Sequence, residues 1–262
     1  MAIKITFATN KGGTGKTTST AMCAEILAAA GYRVLAIDFD SQGNLTRILT
    51  GNSIYKYTGH TIMEAIQDNN ADMYRISCGD NLDLIPSEDR LAVFSRYIYT
   101  SKIQNPYATL KRLVEPLDGL YDYIFIDVGP SLGDESINAI VCADHIIIPV
   151  DGGDLAMDAL IRFHEFVNAT KEEGHTGADV LGIILTMRDK RSKYERDVAI
   201  GIRSAYGDAV FKTEIRRRVR LKEMTATGID LTDPSMEDYF SLVEEIIERT
   251  TNTKGDSNNE QG

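Results

Sequence analysis

The chain has 262 residues, of which 43% are hydrophobic and 26% charged, so its size and composition are those of an ordinary globular domain. No apolar run approaches the roughly 18 residues that cross a membrane, and the N-terminal stretch, which leads directly into a glycine-rich loop, does not have the pattern of a signal peptide. Cys23, Cys78 and Cys142 are far apart and odd in number, which indicates a reducing cytosol rather than a disulfide framework or a CxxC metal site.

The charge is distributed unevenly along the chain. The net charge of −11 would by itself disfavour nucleic acid as a partner, because binding phosphates requires local positive charge. Residues 188–222, however, contain twelve Lys and Arg against five Asp and Glu, a net charge of +7 that leaves −18 for the remainder. An acidic body therefore carries one basic region.

Short β-rich runs alternate with helical patterns along the chain. This order predicts an α/β fold, namely a single-domain, doubly wound and mostly parallel sheet with helices on both faces. Gly31 is expected to end the first helix in the left-handed conformation. Strands are predicted at residues 4–9, 33–40, 81–87, 121–129, 145–151 and 179–187. Helices are predicted at residues 16–30, 61–67, 88–99, 107–117, 134–143, 155–173, 193–206 and 236–250.

The predicted domain occupies residues 1–252. The last ten residues, 253–262, read TKGDSNNEQG and contain no apolar side chain. A segment of this composition cannot bury enough apolar surface to fold, so we predict a disordered polar tail.

A glycine-rich segment links the first predicted strand to the first predicted helix and reads KGGTGKTT over residues 11–18. It misses the general phosphate-loop pattern G-x-x-x-x-G-K-[ST], because Asn10 stands where the first glycine would be. Its glycines still let several backbone N–H groups point at one oxygen cluster, at the positive end of the following helix. We expect Lys16 to neutralise the β and γ phosphates of a nucleotide and Thr17 to complete a Mg²⁺ shell. The alternative is a glycine-rich βα turn that binds nothing.

The loop contains a second lysine, Lys11, although one lysine suffices for the phosphates. With this extra lysine it resembles the deviant Walker A motif of the ParA/MinD class of P-loop ATPases, and the chain is most similar to the ParA/Soj branch of DNA-partitioning ATPases. The resemblance covers nearly the whole chain and includes AIDFDSQGNLT, YDYIFIDVGPSLG and FKTEIRRRVRLKE. It implies a P-loop NTPase domain with ATP and Mg²⁺ as ligands, ATP rather than GTP being inferred from the resemblance. The implied nucleotide-binding residues are Gly12, Gly13, Thr14, Gly15, Lys16, Thr17 and Thr18.

In this class the lysine that corresponds to Lys11 crosses a dimer interface and contacts the ATP held by the other subunit. A cation supplied in trans acts like an arginine finger, worth roughly 10³ to 10⁵ in rate. The resemblance therefore implies an ATP-dependent homodimer in which Lys11, Lys16 and Asp40 are catalytic. The alternative for Lys11 is a solvated lysine on a loop.

Three carboxylates stand at the ends of predicted strands: Asp38, Asp40 and Asp127. The carboxyl ends of parallel strands form the ligand crevice of an open sheet, so these acids are expected to converge on the loop. By resemblance, Asp40 positions the attacking water and Asp127 reaches Mg²⁺ through water. Asp38 supports the metal shell or Lys16. Alternatively, Asp38 and Asp40 cap the next helix.

The sequence departs from the class after Asp127. The class usually has D-x-P-P at this point, whereas this chain has Val128, Gly129 and Pro130. Because glycine removes one rigid φ angle, we predict a differently ordered switch loop.

The basic region contains the sequence EIRRRVRLKE. The class reads approximately I-P-R-N-V-R-L here, so Arg217 and Arg220 match its arginines, while Arg191 matches another in an earlier segment. Such arginines bind duplex DNA without sequence preference once a dimer brings two patches together. The alternative is a solvated charged face paired with Glu214 and Glu223. The implied DNA-binding residues are Arg191, Arg216, Arg217, Arg218, Arg220 and Lys222.

The favoured function is therefore a cytoplasmic, nucleoid-associated DNA-partitioning ATPase. It is expected to hydrolyse ATP slowly and to be stimulated by a ParB-like adaptor. A MinD-like membrane-positioning ATPase would need a basic amphipathic C-terminal helix, but the C-terminus is acidic, so no membrane partner is expected. A third class, a metabolic P-loop enzyme or an iron–sulfur carrier, would need a substrate pocket or paired cysteines.

Overall fold

The computed structural model describes residues 1–153, 155–189 and 191–259. Within them the strands are Ile3–Phe7 (β1), Val34–Phe39 (β2), Ile76–Ser77 (β3), Leu82–Ile85 (β4), Tyr123–Val128 (β5), His145–Val150 (β6), Asp179–Arg188 (β7) and Val210–Arg216 (β8). The helices are Lys16–Ala29 (α1), Asn44–Thr50 (α2), Ile62–Asp68 (α3), Phe94–Thr100 (α4), Thr109–Val114 (α5), Asp134–Cys142 (α6), Ala156–Glu172 (α7), Lys193–Tyr206 (α8), Val219–Thr227 (α9) and Glu237–Asn259 (α10).

The eight strands form one sheet in the order β3-β4-β2-β5-β1-β6-β7-β8. Every neighbouring pair is parallel except β3 with β4. After β1 the chain forms one half of the sheet with β2 to β5 and then crosses β1 to form the other half with β6 to β8, so the strand order reverses at the centre of the sheet. Ligands of such sheets bind at this reversal, beyond the carboxyl ends of the strands. The loop between β1 and α1 lies there.

Alternate residues of the central strands face opposite layers of helices, as the pleat of a strand requires. On one face, Ile124 and Ile126 of β5 pack in the same core as Phe163 of α7. On the other face, Phe125 of β5 packs in the same core as Leu242 of α10. The first layer contains α3 to α8 and the second contains α1, α2, α9 and α10. The prediction of a doubly wound sheet covered on both faces is confirmed.

The six predicted strands and most predicted helices occur, with shifted ends. Gly31 has a φ of 92° beyond the end of α1, as expected. The helix predicted at 88–99 begins as a 3₁₀ turn, Asp89–Val93, before α4, and α5 is flanked by similar turns. The helix α10 continues to Asn259 and so overlaps the predicted disordered tail, of which residues 260–262 lie outside the described residues. Four elements were not predicted: α2, β3, β8 and α9.

The edge strand β8 is capped by carboxylates of α10. Glu245 accepts hydrogen bonds from the N–H groups of Lys212 (2.9 Å) and Thr213 (3.1 Å), and Asp238 accepts one from the N–H of Arg216 (3.0 Å). Both carboxylates are buried. Burial alone would raise their pKa values, but the hydrogen bonds outweigh it and lower the pKa of both. Donors that an edge strand would otherwise expose are thereby satisfied.

This clamp predicts a specific loss of stability in acid. A carboxylate with a lowered folded-state pKa stabilises the fold above its unfolded pKa, and that contribution disappears as the pH falls through the folded-state value. We expect Glu245→Gln to lower the free energy of unfolding by about 1–3 kcal/mol near pH 7 and by less near pH 3. Urea denaturation at both pH values measures the difference. Glu244→Gln, an exposed neighbour on α10, is the matched control. Equal losses for Glu245→Gln at the two pH values would contradict the charged clamp.

Candidate nucleotide site and basic surface

The phosphate loop joins β1 to α1 at the centre of the sheet. Gly13 and Gly15 have φ angles of 76° and 83°, a left-handed conformation that side-chain-bearing residues rarely adopt. The hydroxyl of Thr186, in β7, donates a hydrogen bond of 2.8 Å to the carbonyl oxygen of Thr14. The conformation of the loop is therefore fixed by a contact with β7 as well as by its own glycines.

The loop borders a cavity of about 370 Å³, within the range of small-molecule sites. Lys16 is 6% exposed, and its Nζ donates to the carbonyl oxygen of Lys11 at 3.1 Å. Burial lowers the pKa of Lys16, although Asp127 and Asp40 act in the opposite direction. A desolvated ammonium group of this kind gains much from an incoming polyphosphate. The structure brings all seven predicted nucleotide-binding residues to this cavity: Gly12, Gly13, Thr14, Gly15, Lys16, Thr17 and Thr18.

Lys11 has a different environment from Lys16. Its Nζ is 2.7 Å from Oδ1 of Asp151, in the loop after β6, and both side chains are partly exposed. A Cβ on Gly153 would lie 2.9 Å from this amine, so the glycine makes room for the lysine. The amine of Lys11 thus sits on a carboxylate of its own chain at the border of the site.

Asp38 and Asp127 are paired directly across β2 and β5, as the convergence of strand ends predicted. Both are fully buried. Burial, and then the neighbouring Asp38, raise the pKa of Asp127 well above its ordinary value, while Thr17 and Lys16 oppose the shift. Neither carboxylate oxygen of Asp127 makes a hydrogen bond of ordinary geometry within the described residues. A buried acid with free oxygens beside a threonine hydroxyl fits a hydrated Mg²⁺ ion.

Asp38 mainly performs the alternative role, which is capping a helix. Its Oδ2 accepts hydrogen bonds from the N–H and the hydroxyl of Thr46, in the first turn of α2, both at 2.7 Å. Burial raises the pKa of Asp38 to about 7 in spite of these bonds. Its charge also raises the pKa of the neighbouring Asp127, after the larger effect of burial.

Asp40 lies at the rim of the cavity and is fixed by backbone contacts. Its N–H donates to Asp38 at 3.3 Å, and its Oδ1 accepts from the N–H of Gln42 at 3.0 Å. A Cβ on Gly129 would lie only 3.2 Å from Cγ of Asp40. The glycine that departs from the D-x-P-P pattern therefore permits this close approach of the carboxylate. Asp40 and Gly129 also line a neighbouring cavity of about 220 Å³.

Other residues of the cavity were not predicted. Gln42 and Asn44 contribute from the turn into α2, and Pro130 from the loop after β5. Met187 contributes from the end of β7, where its φ of 53° is unusual for a residue with a side chain. The only sequence signal was that Gln42 and Asn44 closely follow Asp40. Met187 is far from the loop in sequence and carried no signal.

The arginine cluster, defined as Arg216, Arg217, Arg218, Arg220 and Lys222, lies where β8 ends and α9 begins. Its members differ in availability. Arg217 and Lys222 are exposed, and among the described residues neither side chain makes an ion pair. Arg191, with a side chain 92% exposed, binds Asp189, whose pKa is lowered first by Arg191 and more weakly by Arg217. The N–H of Arg217 donates a hydrogen bond of 3.0 Å to the carbonyl oxygen of Arg188, so Arg217 lies beside the segment that contains Arg191.

The other three arginines of the cluster contact acids near the start of α10. Arg216 binds Asp238 through its backbone N–H and its guanidinium, and it also binds Glu237 at 2.9 Å. Arg218 lies 3.9 Å from both acids. Arg220 binds Asp233 at 2.8 Å and Glu223 at 3.5 Å. The expected pairing with Glu223 is present, but the expected partner Glu214 instead binds Arg203 and Arg188, of which Arg188 is buried.

The remaining expectations concern cysteines and membrane helices. All three cysteines are free; Cys23 and Cys142 are buried and Cys78 is partly buried. Within the described residues, no three His, Cys, Asp or Glu side chains are grouped so that they could hold a metal ion. In the same part of the chain, no helix combines the length and the apolar character needed to cross a bilayer.

Comparisons with known proteins agree with this geometry. Residues 2–179 match the family described as AAA domain. The chain is 35% identical over 252 residues to the sporulation initiation inhibitor protein Soj of Bacillus subtilis, covering 93% of this chain and 98% of Soj. It is 29% identical over 255 residues to the chromosome partitioning protein ParA of Caulobacter vibrioides, covering 94% of each.

A solved structure with the same fold is that of a Cyanothece McdA variant in complex with ATP. It has a TM-score of 0.84 and 27% sequence identity, over 94% of this chain and 96% of that chain. With a phosphate loop that contains two lysines, two paired acids at the switch point and these relatives, the chain belongs to the ParA/Soj-type P-loop ATPases.

Proposed function

We propose that this protein is a DNA-partitioning ATPase that forms a nucleotide-sandwich homodimer. In its ATP state it binds duplex DNA without sequence preference, and it hydrolyses ATP slowly until a ParB-like adaptor stimulates it. In this proposal the protein is cytoplasmic and associates with the nucleoid. The observation that carries the proposal is that the two lysines of one loop have different surroundings. Lys16 faces the cavity, whereas the amine of Lys11 is held by Asp151 at its border.

The residues around the cavity are suited to ATP hydrolysis. The loop N–H groups and Lys16 would hold the phosphates, and Thr17 and Asp127 would hold Mg²⁺, the latter through water. The bound ion would neutralise charge on the β and γ phosphates. Asp40 would orient the attacking water, and its backbone contacts fix the carboxylate for that task. No side chain needs to form a covalent bond.

Lys11 links the nucleotide to dimerisation in this proposal. Its ion pair with Asp151 is partly exposed, and pairs of that kind contribute only about 0–1 kcal/mol, so a stronger anion can replace the carboxylate. The γ phosphate of ATP held by a second copy is such an anion. The lysine would then complete the partner's site and oppose the charge that develops during transfer. Dimerisation would thereby depend on ATP rather than ADP.

The DNA-binding role is proposed for the exposed cations Arg191, Arg217 and Lys222. Arg216, Arg218 and Arg220, which contact acids of the same chain, are proposed to contribute with them. A single patch binds DNA weakly, with a non-specific Kd of about 10⁻⁴ to 10⁻⁶ M. Two patches on one dimer act together and raise the apparent affinity without any new contact. ATP would thus switch DNA binding through dimerisation.

Reversing one charge of the patch tests this role. With MgATP at low salt, Arg217→Glu is expected to weaken binding to a random-sequence duplex about tenfold, and the log–log salt dependence should become shallower by about 0.9 for each lost phosphate contact. Fluorescence anisotropy measures both quantities. Arg33→Glu makes the same charge change before β2, at the opposite end of the sheet. If Arg217→Glu and Arg33→Glu bound DNA as the parent does, this surface would not be the DNA site.

Two other functions remain distinguishable by direct assay. A MinD-like membrane-positioning ATPase would sediment with anionic liposomes in the presence of ATP. A metabolic P-loop enzyme would hydrolyse ATP faster when its small-molecule substrate is added. The partitioning ATPase is expected to do neither, and to respond to DNA and its adaptor instead.

A further inference from the structure

A short acidic stretch faces the arginine cluster from the same chain. Asp233, Glu237 and Asp238 lie at and just before the start of α10. Together they contact Arg216 and Arg220 at 2.9 Å or less and lie 3.9 Å from Arg218. The contacts with Arg216 and Arg220 are therefore present before any DNA arrives. DNA phosphates and these carboxylates compete for the same guanidinium groups.

Two of the three acids also stabilise the local fold through hydrogen bonds to backbone groups. Asp238 is buried and also caps the N–H of Arg216 in β8. Asp233 accepts the N–H and the hydroxyl of Ser235 and so holds the turn before α10. Glu237 differs from both, because its side chain is 72% exposed and its contacts within the described residues are with the guanidinium groups of Arg216 and Arg218.

One oxygen of Glu237, Oε2, serves both arginines. It lies 2.9 Å from Nη2 of Arg216 and 3.9 Å from Nη2 of Arg218. An anionic oxygen between two guanidinium groups is the arrangement by which arginines hold a phosphate. Within the described residues the exposed carboxylate is held only by these two contacts, so a phosphate can replace it at low cost.

We propose that Glu237 is an internal substitute for a DNA phosphate, which occupies the Arg216–Arg218 site until duplex DNA displaces it. This proposal rests on the proposed DNA-binding function and adds a built-in competitor to it. The competitor weakens binding to any duplex and makes it less sensitive to salt, because added salt also weakens the ion pairs through which Glu237 competes with the phosphates. Weak binding would allow the protein to leave DNA readily once its dimer separates.

The test compares two glutamate-to-glutamine variants of α10. Glu237→Gln removes the competing charge, whereas Glu244→Gln removes an equal charge two helical turns away on an exposed position. With MgATP and a random-sequence duplex, Glu237→Gln is expected to bind roughly two- to fivefold more tightly for each protomer that contacts the DNA, the range of an exposed ion pair. Its log–log salt dependence should be steeper by about 0.9 for each additional phosphate contact. Glu237→Ala should change both quantities in the same direction.

The outcomes separate this inference from the proposed function. Tighter binding and a steeper salt dependence for Glu237→Gln, but not for Glu244→Gln, support the competitor. If the parent binds DNA and Glu237→Gln behaves like Glu244→Gln, or binds more weakly than the parent, the competitor role is overturned while DNA binding stands. If the parent does not bind duplex DNA at low salt with MgATP, both are overturned.

Discussion

Replacing Lys16 with alanine is expected to reduce kcat/KM for ATP by about 10²- to 10⁴-fold. The estimate follows from the cost of removing one partner from a desolvated charge pair, which is about 3–5 kcal/mol. Lys16 is a buried cation that lines the cavity, and burial lowers its pKa. Its charge therefore contributes little to the folding stability of the protein without nucleotide. The loss should therefore appear in nucleotide binding and turnover rather than in folding.

Titration calorimetry with MgATP, steady-state hydrolysis and thermal unfolding together test this expectation. Lys171→Ala is a matched control, because it truncates a lysine that binds Asp179 at the start of β7, away from the carboxyl ends of the strands. We expect the control to bind ATP like the parent. A Lys16→Ala protein that kept ATP affinity within about twofold of the parent would show that the cavity is not the phosphate site.

Replacing Lys11 with alanine is expected to abolish most hydrolysis while sparing nucleotide binding. If Lys11 acts in trans like an arginine finger, turnover should fall by roughly 10³-fold or more. Binding of ATP to the single protomer should persist, because the Lys11 amine lies on Asp151 rather than in the cavity. Light scattering should detect a monomer with MgATP, and DNA binding should fall with the dimer.

Loss of the Lys11 ion pair must be separated from loss of the Lys11 amine. Asp151→Asn removes the charge from the intramolecular partner and leaves the lysine in place, so it should retain the ATP-dependent dimer and at least the parent rate of hydrolysis. If Asp151→Asn lost turnover as completely as Lys11→Ala, the lysine would act by holding the loop after β6. A role in the partner's site would then be unnecessary.

The sequence was most informative where one physical constraint dominates. The central strands read as continuous apolar runs because both of their faces are buried, and Gly31 was recognisable because a helix end needs its left-handed conformation. The edge strand β8 was not predicted, because no such single constraint dominates its sequence. Its burial pattern is irregular, and its backbone N–H groups are bound by acids of α10 that lie 22 to 33 residues further along the chain. The local pattern therefore indicated only a basic surface.

The grouping of the phosphate-loop residues and the pairing of the two strand-end acids could be predicted from the sequence, but their contacts with distant residues could not. The glycines and Lys16 follow from local phosphate chemistry, and the convergence of Asp38 and Asp127 follows from the parallel sheet. The contact between Lys11 and Asp151 joins residues 140 positions apart, and no spacing rule reports it. The contacts of Arg216 with Asp238 of α10 were not predictable from spacing either. Arg216, predicted only to bind DNA, also fixes the edge of the sheet through these contacts.

The central claim is that ATP held by one copy is contacted by Lys11 of the other copy. A crystal structure of the protein with Mg²⁺ and a non-hydrolysable ATP analogue tests it most directly. The account predicts a twofold dimer in which Nζ of Lys11 has left Asp151 and lies within hydrogen-bonding distance of the partner's terminal phosphate. A loaded single protomer, or a dimer in which Lys11 still binds Asp151 or contacts its own nucleotide, would contradict it.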